Sequence, residues 1–151
     1  MNNTRRSVLK TSGALGTLVA LGLITEKQAL AQANRAGFEA KSLADALKSV
    51  GGTAASSDQV TVVSPDIAEN GAVVPVGATS NLPNTTEIHL LVEKNPTPLT
   101  ASFFIPAGTE PSVQTRVKMG QSSNVIAVIK ADGKLYSATK ETKVTLGGCG
   151  G

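Results

Sequence analysis

Apolar and polar positions follow two rhythms along this chain, and the change from one to the other divides it. Leu43, Ala46, Leu47 and Val50 recur at helical spacing, which gathers them on one face of a helix. Ser42 followed by Asp45 resembles a capping box with Asp in the usual place of Glu, a start signal, and Gly51-Gly52 supplies the stop. The predicted helix is a packing element laid across one end of a sheet. A polar linker follows over residues 53–58.

From residue 59 the period shortens to two. Short runs rich in Val, Ile, Thr and Phe predict strands over 59–63, 72–78, 87–93, 99–105, 112–119, 124–131, 134–138 and 142–146, because β-branched and aromatic residues fit a pleated, half-buried surface. The run over 112–119 alternates Val113, Thr115, Val117 and Met119 with Gln114, Arg116 and Lys118. Pro75 lacks the N–H that a ladder uses, so the run holding it is expected at an edge or a bulge. Asp132-Gly133 is a strong two-residue hairpin signal. Seven or eight short strands separated by turn residues predict an all-β, immunoglobulin-like sandwich with a short N-terminal helix. Its expected bounds are residues 34–146.

The first residues belong to a different kind of segment. Thr4-Arg5-Arg6-Ser7-Val8-Leu9-Lys10 precedes an uncharged stretch over 11–25 rich in Leu, Ala and Gly. A basic start, a short apolar core and small residues at a cleavage point define an export signal, and the paired arginines point to the twin-arginine route. Two cleavage patterns fit, Ala29-Leu30-Ala31 and Ala31-Gln32-Ala33; cleavage after Ala33 is preferred, with a periplasmic destination. The apolar stretch is too short and glycine-broken for a membrane span.

Setting residues 1–33 apart changes the charge argument. The chain has 14 basic and 11 acidic residues; Arg5, Arg6, Lys10, Lys27 and Glu26 all lie in that segment, so the remainder is electrically balanced. A nucleic-acid or anionic-membrane partner would need a basic patch on the folded domain, and neither is expected. The length after residue 33 fits one domain. With only Phe38, Phe103, Phe104 and Tyr136 as aromatics, the core must be mostly Val, Ile, Leu and Ala.

The one cysteine, Cys149, sits in Gly147-Gly148-Cys149-Gly150-Gly151. Glycine buries nothing and loses much backbone freedom on ordering, so these five residues, 147–151, are expected to form a flexible arm outside the fold. A buried structural thiol, a cross-link between chains and a presented thiol are the readings of such a residue. With one cysteine and one histidine, Cys149 and His89, the three or four ligands of a zinc site are not supplied. Glycine neighbours favour presentation, because a thiol that enters clefts of other proteins needs a narrow, adaptable backbone. From residue 146 the extended chain reaches about 10 Å. No activating base adjoins Cys149, so activation would fall to a partner enzyme.

Other chemistry is thin. His89 lies in mid-strand, where a satisfied core or interface histidine is the expected role. Asp66, Glu69 and Asn70 are close in sequence, and loop carboxylates of this kind are solvated or capping groups. No glycine loop opens a helix as phosphate binding requires. No self-sufficient active site and no cofactor is implied.

The paired-arginine start, the segment Asp66-Ile67-Ala68-Glu69-Asn70-Gly71-Ala72-Val73-Val74-Pro75-Val76, the segment Thr115-Arg116-Val117-Lys118-Met119 and the closing Gly147-Gly148-Cys149-Gly150-Gly151 together resemble the SoxY family. These are the sulfur-carrier subunits of the bacterial thiosulfate-oxidising Sox system. The resemblance implies a non-catalytic carrier that pairs with a SoxZ-like sandwich subunit and holds intermediates covalently on Cys149. It further implies that a SoxAX-like haem enzyme couples thiosulfate to the thiol, a SoxB-like hydrolase releases sulfate, and a SoxCD-like dehydrogenase oxidises the remaining persulfide. A self-dimer linked through Cys149 is expected as a resting form. The reading from another class is an exported structural or adhesive sandwich cross-linked through the same cysteine. A small thiol redox protein lacks its second cysteine here.

Overall fold

The computed structural model describes residues 35–145. Helix α1, Leu43–Ser49, starts as the capping signal requires: the Ser42 hydroxyl accepts from the Asp45 backbone N–H at 3.1 Å and donates to the Asp45 carboxylate at 2.8 Å. That hydrogen bond, with Lys48 one turn on, holds the Asp45 carboxyl below the usual carboxylate range. At the other end Gly51 and Gly52 take φ of 120° and 103° and their N–H groups return to the carbonyls of Lys48 and Leu47. Only glycine adopts such angles without strain.

Among the described residues nine strands follow: β1 Ala55–Ser56, β2 Val60–Val63, β3 Ile67–Ala68, β4 Val74–Ser80, β5 Thr85–Val92, β6 Leu99–Phe104, β7 Ser112–Val117, β8 Ser123–Ala131 and β9 Lys134–Val144. They make two sheets, one in the order β1-β9-β8-β5-β6 with β3 also on β9, the other in the order β2-β4-β7. Pairing is antiparallel except for the two short strands β1 and β3, which run parallel to β9. The sheets face each other across Val60, Val62, Val74, Val76, Ile88, Leu90, Val125, Ile129 and Met119. This is the immunoglobulin-like sandwich that the alternation predicts.

Helix α1 does not lie across a sheet end. It covers the outer face of the larger sheet, where Ala46 and Val50 pack on Leu91, Leu99 and Val128. Central β8 is consequently apolar on both faces, with Val125, Ala127 and Ile129 turned to the other sheet and Val128 to the helix. A strand covered on both sides loses its alternation.

Two further expectations are corrected. The strand holding Pro75 is the middle one of its sheet, but β2 reaches only to the Val63–Gly77 pair, so Pro75 lies beyond it and faces Arg116 of β7 alone. The runs predicted over 134–138 and 142–146 join in one strand, β9, which ends at Val144 and whose ladder with β8 continues from Ala131–Lys134 to Ser123–Thr142. The polar residues 139–141 break the hydrophobic signal without breaking the backbone hydrogen bonds. Val74 is buried and Phe103 packs at the margin of the core between the sheets, whereas Phe104 is 59% exposed. Phe104 lies at the end of β6, an edge strand, on the face turned away from the other sheet.

Candidate functional site

The segment 1–33 and the arm residues Gly147, Gly148, Cys149, Gly150 and Gly151 lie outside the described residues. What the structure shows is the seat from which the chain continues toward Cys149, and that seat is heavily built. On one side of β9 the Lys143 N–H donates to the Asp66 carbonyl at 2.9 Å and the Thr145 N–H to the Ala68 carbonyl at 3.1 Å. The Thr145 hydroxyl donates to the Glu69 carbonyl at 3.4 Å. On the other side the Val144 N–H donates to the Ser122 hydroxyl at 2.9 Å. Deeper in, the buried Thr142 hydroxyl donates to Ser64 at 3.0 Å, and Lys140 reaches both the Ser64 carbonyl at 2.6 Å and the Asp66 carboxylate at 3.1 Å. The last strand is thus held on both flanks up to Thr145, four residues before Cys149.

Both internal segments singled out in the sequence converge on this seat. Residues 66–71 form β3 and the turn after it; the Asn70 side chain accepts from the Ala72 N–H at 2.9 Å and the Val73 N–H returns to the Asn70 carbonyl at 3.3 Å. The loop polar groups are therefore turn formers and an ion-pair partner. Residues 74–76 pair with 115–117, and the Met119 N–H closes on the Gly71 carbonyl at 2.7 Å. A Cβ on Gly71 would run into the Met119 carbonyl and the Val144 side chain. Glycine is required there because two backbones and the last residue of β9 meet.

The only histidine is satisfied in part, and on a different face. His89 is 1% exposed, with Nδ1 at 2.9 Å from the Ser102 hydroxyl and Nε2 at 3.2 Å from a Glu87 oxygen. The Nε2–Glu87 contact is off the line of a hydrogen bond, so Nε2 is left without an aligned partner. Lys130 holds the other Glu87 oxygen at 2.9 Å. Burial lowers the His89 pKa against the opposing pull of Glu87. The row Ser102–His89–Glu87 combines the residue types of a nucleophile, a base and a carboxylate. Its imidazole is sealed from solvent, and with Lys130 the row ties β5, β6 and β8 together. Sequence reading missed the cluster because its members come from three strands; only the register brings them together. Among the described residues no three His, Cys, Asp or Glu side chains gather as a metal site would need.

Fold and seat together define a class: an immunoglobulin-like β-sandwich whose last strand is clamped at its end, just short of the chain's one cysteine. The model of the family described as "Sulfur oxidation protein SoxY" matches residues 46–149, a span that includes Cys149. The chain belongs to the SoxY family. Among solved structures, the sulfur carrier protein SoxY from Chlorobium limicola f thiosulfatophilum is similar at 37% identity and a TM-score of 0.64, over 71% of this chain and 95% of that one. The superoxide reductase (neelaredoxin) from Ignicoccus hospitalis is similar at 21% identity and a TM-score of 0.51, over 58% of this chain and 80% of that one, a likeness of fold alone. Among curated proteins no relative matches.

Proposed function

We propose that this protein is a periplasmic sulfur carrier that binds pathway intermediates covalently on Cys149 and presents them to the enzymes of a thiosulfate-oxidising system. The observation that supports this most is that the family match runs through Cys149, the single cysteine, which stands between glycine pairs immediately beyond a clamped strand end. A firm seat and narrow neighbours suit a side chain that enters other active sites. The twin-arginine start supports the destination, and the SoxY family supports a SoxZ-like companion subunit.

The chemistry is supplied by the partners. A SoxAX-like enzyme removes two electrons and one proton as the Cys149 thiol and thiosulfate join, leaving Cys–S–S–SO3− on the chain. A SoxB-like hydrolase adds water across the terminal S–S bond, releasing hydrogen sulfate and leaving the persulfide Cys–S–SH. A SoxCD-like dehydrogenase, where present, oxidises that sulfur further. Tethering keeps the sulfane intermediates from escaping and makes each later step the delivery of an attached substrate. The carrier's part is to hold and to present. A disulfide-linked self-dimer through Cys149, formed by oxidation in air, is a resting or inactive form reversed by reductant.

Cys149→Ser tests the proposal. The variant should keep the fold and the companion assembly and lose all thiosulfate-dependent turnover in a reconstituted system. Turnover that persists would overturn it.

A further inference from the structure

Ser102, His89 and Glu87 are linked in a row on the outer face of the larger sheet, and the carrier chemistry on Cys149 uses none of them. The Ser102 hydroxyl oxygen lies 2.9 Å from Nδ1 of His89, and Nε2 of the same ring lies 3.2 Å from a Glu87 oxygen. Lys130 fixes the other Glu87 oxygen at 2.9 Å. A hydroxyl held by a ring nitrogen whose far side meets a carboxylate is the arrangement that activates a serine for attack. The contact with Glu87 is off line here, as catalytic contacts often are before a substrate binds. Burial favours the neutral imidazole, the form that accepts the hydroxyl proton.

Access comes from the side of the serine. His89 is sealed, but Ser102 is only partly buried, on β6, the strand that ends the sheet. The Ile105 N–H donates to the Thr86 carbonyl at 2.8 Å, in the same register that sets Ser102 opposite His89. Backbone groups alternate in direction along an antiparallel strand, so the N–H groups of Ser102 and Phe104 turn away from β5 toward the open edge. There they can donate to an oxyanion formed at Ser102. Phe104, 59% exposed, follows two residues on along the same face and sets an apolar surface beside the hydroxyl. We infer that Ser102 is a reactive serine that takes an acyl group from an ester with a good leaving group, with His89 as its base and Glu87 as the positioning residue behind that base. The Ser102 oxygen bonds to the acyl carbon and its proton passes to Nδ1 of His89. The bond from that carbon to the leaving group breaks, and the electron pair departs on the leaving group. Because His89 is sealed from solvent, the fitting donors are aryl esters and thioesters, whose leaving groups depart as anions without taking a proton. The product is the acylated chain itself, a modification independent of Cys149.

Purified protein, its Cys149 first blocked with iodoacetamide, is treated with p-nitrophenyl acetate, and the acetylated positions are mapped by peptide mass spectrometry. Ser102 should be acetylated on the order of a hundredfold faster than Ser112, an exposed serine on β7, since a positioned base supplies at least that factor. A fluorophosphonate, which loses fluoride to the same attack, should label Ser102 as well, and heat-unfolded protein should lose the preference. His89→Gln should slow acetylation of Ser102 on the order of a hundredfold. Glu87 and Lys130 are the charges that act on His89, and Glu87 favours its protonated form. Glu87→Gln should therefore move the pH midpoint of Ser102 acetylation downward, a change that a merely structural role would not produce. Wild-type protein decides the matter without any variant: acetylation of Ser102 no faster than of Ser112 overturns the inference. An undiminished rate in a His89→Gln protein that melts cooperatively also overturns it, because the serine would then react through exposure alone.

Discussion

Gly71 shows how a single missing methyl group shapes the seat. A Cβ there would meet the Met119 carbonyl and Val144 at once, and a carbonyl cannot swing aside as a side chain end can. Gly71→Ala should destabilise the domain by about 1–3 kcal/mol, read from urea unfolding. His89 gives a pH signature. Its folded pKa lies below the ordinary value near 6.5, chiefly because it is buried, so on acidification the unfolded chain takes up this proton before the folded one does. Stability from this residue is full above the unfolded value and is lost as pH falls from about 6.5 toward the folded pKa. Chemical denaturation between pH 7.5 and 5 should show the decline, and His89→Gln should flatten it. The sequence supplied His89 as a histidine to be satisfied in the interior; Ser102 and Glu87 as its neighbours needed the register of β5 and β6.

At the scale of elements, local turn chemistry was the most legible feature. Asp132 and Gly133 take φ of 48° and 72°, the two left-handed residues of the tight hairpin between β8 and β9. Gly133→Ala places a Cβ in that region and should cost roughly 1–2 kcal/mol in equilibrium unfolding. The Ser42 cap and the Gly51-Gly52 stop were equally readable, since each works through bonds to near neighbours in sequence. What local pattern could not give was placement. The apolar face of α1 predicted packing, but its target is Leu91, on the outward side of β5. Leu91→Ala should lower stability by about 2–5 kcal/mol and loosen α1, visible as faster amide exchange in that helix. Pro75 misled for a related reason: a proline forbids a ladder bond at one position, and β4 is central only where β2 flanks it.

For the molecule as a whole, the basic character belongs to the first 33 residues, and the rest is balanced in charge. The proposed twin-arginine export predicts that Arg5→Lys with Arg6→Lys leaves uncleaved precursor in the cytoplasm, detected by immunoblot of fractionated cells. The singularity of the last five residues was legible from composition alone, because one cysteine between glycine pairs has few uses. Their seat was not, since Ala68, Ser122 and Glu69 come from distant parts of the chain and meet β9 only in the folded sandwich. The carrier account comes down to one covalent bond. Mass spectrometry of the protein taken from cells oxidising thiosulfate should find a reductant-sensitive sulfur adduct on Cys149. Protein that stays unmodified at Cys149 throughout active turnover would contradict it.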